Sequence, residues 1–117
     1  MSGLLDALNT PNGTILARAR RGMTIGRATY APGWKWSVDV GRAVGAKSCM
    51  VEHVGMVLSG RATAAMDNGR VIEMKAGDVF YIAPGHDSWV VGEEHYVSLH
   101  FLGADDYASA KTRIKQY

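Results

Sequence analysis

The chain is predicted to be all-β, a small sandwich or barrel, and three observations carry that prediction. Short β-prone runs alternate with turn residues at roughly 8–12-residue spacing, as in closed or two-sheet β folds. No stretch between residues 14 and 101 carries a convincing helical period. The segment 76–92, AGDVFYIAPGHDSWVVG, sets out a strand, a tight turn and a second strand in seventeen letters. Gly77-Asp78 opens it and Pro84-Gly85-His86-Asp87 closes its first strand, because Gly accepts positive φ and Asp bonds nearby backbone.

The elements follow in order. Residues 1–13 read as an arm packed on the body, with one or two helical turns over 4–8 stopped by Asn9-Thr10-Pro11-Asn12-Gly13. The body, 14–103, holds strand runs at 14–17, 24–30, 34–38, 48–51, 55–59, 61–66, 71–74, 79–82, 89–91 and 96–101. Breakers separate them: Pro32-Gly33, Gly45, Gly60, Asp67-Asn68-Gly69, Gly77, Pro84-Gly85 and Gly92. Asn68-Gly69 is a strong hairpin signal, since both residues tolerate the positive φ of a type I′ turn. The tail, 104–117, has good helix formers with Lys111, Arg113 and Lys115 late, which suits a terminal helix.

Composition narrows the function classes. At 117 residues the chain makes one domain, and 47% apolar with 21% charged residues is ordinary for a soluble globular protein. A net charge of +2 is too small to argue for nucleic acid, and the single basic cluster, Arg18-Ala19-Arg20-Arg21, lacks the aromatic stripe of a single-strand binder. The lone Cys49 rules out an internal disulfide. No apolar run is long enough to cross a bilayer and Met1-Ser2-Gly3-Leu4-Leu5-Asp6 lacks the pattern of a signal peptide, so no membrane association and a cytoplasmic location are expected.

Gly55-Met56-Val57-Leu58-Ser59-Gly60, then Asp67-Asn68-Gly69, then Gly77-Asp78 and Ile82-Ala83-Pro84-Gly85-His86 resemble the two motifs of a single-domain cupin. Pro32-Gly33-Trp34-Lys35-Trp36-Ser37 and the Pro-Gly-His-Asp-x-Trp run ending at Trp89 resemble one branch of small bacterial cupins. The resemblance spans about residues 24–103. It implies a double-stranded antiparallel β-barrel (jelly roll), often a homodimer, with any site inside the barrel.

Metal-binding cupins supply His-x-His, a glutamate and a later histidine, and this sequence departs at nearly every slot. Counted back from Gly60, the glutamate slot falls on His53 and the His-x-His slot on Lys47-Ser48-Cys49; the later histidine slot falls near Ser88, with His86 two residues earlier. Cys49, His53 and His86 are thus the candidate displaced ligands. On one straight strand, four residues span roughly 13 Å, so Cys49 and His53 can share an ion only if Met50-Val51-Glu52 turns between neighbouring strands. A thiolate and two imidazoles favour zinc, with iron or manganese behind it, and leave a fourth position open. They do not make a two-histidine, one-carboxylate iron site unless Glu52 or Asp87 turns inward. The same residues equally suit a metal-free barrel: a buried cysteine, a hydrogen-bonded histidine, and His86-Asp87 as turn residues.

Asp87 is read as a partner orienting one of the histidines, and Trp89, Trp36 and Glu52 as further ligand-binding candidates. Trp34 and Trp36 share a face of an extended segment and suit core or interface anchors as well as a ligand pocket. If Val97, Leu99 and Phe101 face the core, His100 points to the surface. Glu93 and Glu94 point to opposite faces and cannot act as an acid–base pair. The function these residues support is a small-molecule-binding cupin with a divalent metal in the barrel. The alternative is a metal-dependent enzyme, a hydrolase, isomerase or oxygenase, acting on a small polar substrate.

Overall fold

The computed structural model describes residues 5–10, 13–20 and 23–102. Among these described residues nine strands follow in chain order: β1 Leu5–Thr10, β2 Gly13–Arg20, β3 Met23–Tyr30, β4 His53–Ser59, β5 Arg61–Met66, β6 Val71–Lys75, β7 Val79–Ile82, β8 His86–Val91 and β9 Tyr96–Leu102. Two single-turn helices, α1 Trp36–Asp39 and α2 Gly41–Val44, lie between β3 and β4. Every pairing is antiparallel. One sheet has six strands in the order β1-β2-β3-β9-β4-β7 and the other has three in the order β6-β5-β8. The all-β expectation and the jelly-roll layering therefore hold. Among the described residues no helix is long and apolar enough to cross a membrane.

The core lies between the two sheets. Val57, Ala64 and Cys49 sit at its centre, with Trp34, Phe80, Ile82, Met74, Val90 and Tyr96 packed around them. Gly55 belongs to this packing. A side chain there would collide with the Leu99 carbonyl of β9 and the Phe80 ring of β7, so β4 can run between those strands only with glycine at that point. The β4–β9 ladder is irregular, with register shifts between Val54 and Gly55 and between Val57 and Ser59. Such shifts bend a strand and help a sheet to curl.

Four expectations need correction. The sequence predicts helical turns over residues 4–8, yet Leu5–Thr10 is a strand paired with β2 from Leu5↔Arg18 to Thr10↔Gly13. An isolated helix of five residues cannot recover its nucleation cost, whereas the ladder pairs the backbone throughout. The sequence predicts a strand over residues 34–38; the chain instead turns into α1 and α2, because Asp39 accepts from the Lys35 N–H and Asp87 accepts from the Ser37 N–H and hydroxyl. Those side-chain acceptors override the β propensity of Trp and Val. Residues 48–51 contribute only a single bridge, Cys49↔His86.

The fourth correction concerns β9. Its inward row is Tyr96, Ser98 and His100, while Phe101 is 47% exposed. The apolar alternation misled because the outer face of this sheet is itself apolar: Ile25, Leu58, Val79, Tyr81 and Phe101 are all exposed. The helical tail expected for 104–117 lies outside the described residues.

Candidate metal centre

Cys49, His53 and His86 come together inside the barrel, each from a different piece of backbone. His86 is the first residue of β8, and Gly85 before it takes φ 88°, a conformation glycine adopts without strain. This turn clamps Cys49: the Cys49 N–H donates to the His86 carbonyl at 2.7 Å, and the Gly85 N–H donates to the Cys49 carbonyl at 2.8 Å. His53 opens β4 opposite Ile82 of β7, in the other sheet. Residues 50–52 therefore cross from one sheet to the other, which is the turn that joint ligation by Cys49 and His53 requires.

The three ligand atoms lie within 4.8 Å of one another, and Cys49 Sγ is 3.7 Å from His53 Nε2. All three residues are buried. His86 Nδ1 is 2.8 Å from the Ala83 carbonyl, which can only accept, so Nδ1 carries the proton and the lone pair is on Nε2. A bond from the far ring nitrogen to a backbone carbonyl is the usual way to orient a metal-binding imidazole. Burial pushes the His53 pKa down to about 2, with His100 and His86 adding to the effect. Burial lowers His86 as well, partly opposed by its bond to Ala83. All of this favours neutral imidazoles, the form that binds a metal.

His100 is the residue that sequence reasoning missed. Its ring is 5.2 Å from that of His53 and 5.5 Å from Phe80, with edge-on geometry to both. Its Nε2 is 3.0 Å from the Ser98 hydroxyl, and its buried Nδ1 has no hydrogen-bond partner among the described residues. Burial lowers its pKa to about 4. The signal that could have found it is the parity of β9, where Tyr96, Ser98 and His100 form one continuous row.

Beside the histidines is a cavity of about 40 Å³, lined by His53, His86, His100, Trp34, Phe80 and Met74 among others. Trp34 stacks on Tyr30 at 3.8 Å, and its buried indole N–H has no partner among the described residues.

The remaining candidates lie elsewhere. Asp87 does not orient a histidine: its oxygens accept from Ser37 and from the Ser88 N–H, with Lys35 Nζ at 3.8 Å. Its role is to hold the α1 segment against β8. Glu52 faces outward and accepts from the exposed Tyr81 hydroxyl at 2.6 Å. With both carboxylates turned away, the two-histidine, one-carboxylate set is not formed. Trp36 is buried against Gly41, outside the cavity lining. Trp89 also lies outside that lining, with Lys35 Nζ 5.2 Å from its ring centroid.

No protein-family model matches the chain, and no curated protein matches its sequence. Solved structures do. A protein of unknown function from Rhizobium leguminosarum superposes with TM-score 0.57 at 22% identity, covering 76% of this chain and 78% of its own. A cupin-2 domain from Rhodospirillum rubrum superposes with TM-score 0.60 at 16% identity, covering 82% and 67%. Oxalate decarboxylase from Bacillus subtilis, a protein with Mn(II) centres, superposes with TM-score 0.58 at 20% identity over 84% of this chain and 27% of its own. The fold is that of the cupin barrel.

Proposed function

We propose that this chain is a small-molecule-binding cupin in which Cys49, His53 and His86 hold a divalent transition metal, zinc foremost. The observation that carries the reading is the convergence of one sulfur and two nitrogens within 4.8 Å in a buried site. One separation of the donor set already matches a tetrahedral zinc edge, while the set as a whole, within 4.8 Å, would have to draw in around an ion. Tetrahedral zinc with sulfur at about 2.3 Å and nitrogen at about 2.05 Å has an S···N edge of about 3.6 Å, and the Cys49–His53 separation is 3.7 Å. Iron and manganese are less well matched to a thiolate-bearing set. Three protein ligands leave a fourth position, which supports a second reading as a metal-dependent enzyme for a small polar substrate; the ion would supply Lewis acidity there.

Elemental analysis of the purified, tag-free protein tests the metal. Near one zinc, iron or manganese per chain, lost in Cys49→Ser, His53→Ala and His86→Ala, is the expected result. Stoichiometric metal retained in the two histidine variants would sink the assignment, as would wild-type protein that takes up no divalent ion.

A further inference from the structure

We infer that the outer face of the six-stranded sheet is a protein–protein interface, and that its occupant is a second copy of this chain packed face to face about a two-fold axis. The inference stands apart from the metal reading. Three observations carry it.

The first is register. Across β7, β4, β9 and β3 one outward row runs Val79, Met56, Leu99 and Arg27, each directly opposite the next. In the neighbouring row Val54 sits opposite Tyr81. Antiparallel sheets commonly turn apolar residues to the core and polar ones to water, whereas this sheet is apolar on both faces. The smaller sheet keeps the usual division: on its outer face Arg61 lies opposite Lys75, and Thr63 opposite Glu73.

The second is area. Val79 is 74% exposed and Tyr81 55%. Together with Ile25, Leu58, Phe101 and Leu102, they leave roughly 600 Å² of largely apolar side chain in water. That already matches the largest patch usual on a monomer, about 300–600 Å², before the half-buried Val54, Met56, Val97 and Leu99 are added. Two such faces joined would bury about 1,200 Å² or more, the size of a specific interface.

The third is composition. Interface cores are rich in aromatic residues, Met and Arg and poor in Lys, Glu and Asp. Tyr81, Phe101, Met56 and Arg27 belong to this face, and β3, β4, β7 and β9 contain no lysine, aspartate or glutamate at all. Glu52 stands only at the margin, tied to the Tyr81 hydroxyl. Such a face gives an unlike, charged partner little to pair with. Apolar sheet faces pack well on one another, and a two-fold contact sets the same patch against itself.

The test is sedimentation velocity of the full chain from low to high micromolar concentration, with circular dichroism to check the fold of each variant. The wild type is expected to sediment as a dimer. Val79→Asp in β7 and Ile25→Asp in β3, three strands apart on the face, should each weaken dimerisation about tenfold or more. Val79→Thr, nearly the same in shape, should weaken it less. Val71→Asp, at a position 63% exposed on the other sheet, should leave the dimer intact. A wild type that is monomeric throughout overturns the inference and leaves the face to an unlike protein or to residues 103–117 of the same chain. A dimer that survives both face variants overturns it as well, since the contact then lies elsewhere. So does a dimer lost equally in Val71→Asp.

Discussion

Acid should unfold the metal-free protein steeply, and the slope can be worked from two histidines. Burial lowers the pKa of His100 from 6.5 to about 4 and that of His53 from 6.5 to about 2. A group whose folded pKa is depressed contributes stability above its unfolded pKa and loses it as pH falls. Below pH 6.5 the unfolded chain takes up protons on both imidazoles that the folded chain refuses. Each such proton lowers stability by about 1.4 kcal/mol per pH unit. Because the unfolded imidazoles are only half protonated at pH 6.5, two groups together remove on the order of 3 kcal/mol between pH 6.5 and 5.0, a large share of the roughly 5–15 kcal/mol typical of a domain. The loss through His100 continues to about pH 4 and then levels, while that through His53 continues further. Urea unfolding of chelator-treated protein at half-unit steps from pH 7.5 to 4.5 measures it, and His100→Asn should remove a clear part of the slope, less than half because burial lowers His86 as well. Stability that stays flat from pH 6.5 to 5.0 would refute the reasoning, because then the imidazoles are not held neutral by burial.

Other consequences follow from the same geometry. Adding zinc at a hundredfold excess over its Kd should stabilise the wild type by about 2.7 kcal/mol and leave Cys49→Ser unmoved, a difference that thermal melts with and without chelator will show. Asp87→Ala strips the acceptor from the Ser37 N–H and hydroxyl; a loss of about 2–3 kcal/mol and a change in the fluorescence of Trp36 in α1 are expected, and unchanged unfolding midpoints would contradict the clamp. Gly55→Ala places a methyl against the Leu99 carbonyl and the Phe80 ring, so a destabilisation of about 2 kcal/mol or more is expected in denaturant titration. Glu52→Gln leaves the exposed Tyr81 hydroxyl a partner and should change neither metal content nor unfolding midpoint measurably.

The local letters of the chain determined more than the strand count. Turn residues act over three or four neighbours, so Asn68-Gly69, Gly77-Asp78 and Pro84-Gly85 set the β5–β6, β6–β7 and β7–β8 connections without help from tertiary contacts. The resemblance of these segments to the cupin motifs likewise pointed to Cys49, His53 and His86, three side chains that meet in the folded barrel. Long-range pairing decided the rest. Leu5–Thr10 is extended only because β2 is there to pair with it, and the tryptophan-rich segment coils only because Asp87, fifty positions from Ser37, supplies an acceptor. The facing of β9 also belonged to the tertiary structure. Alternation separates two faces without saying which is inside, and here the interior row carries Ser98 and His100 while Phe101 and its apolar neighbours look outward. That is the physical reason the fourth histidine became visible only in the assembled barrel.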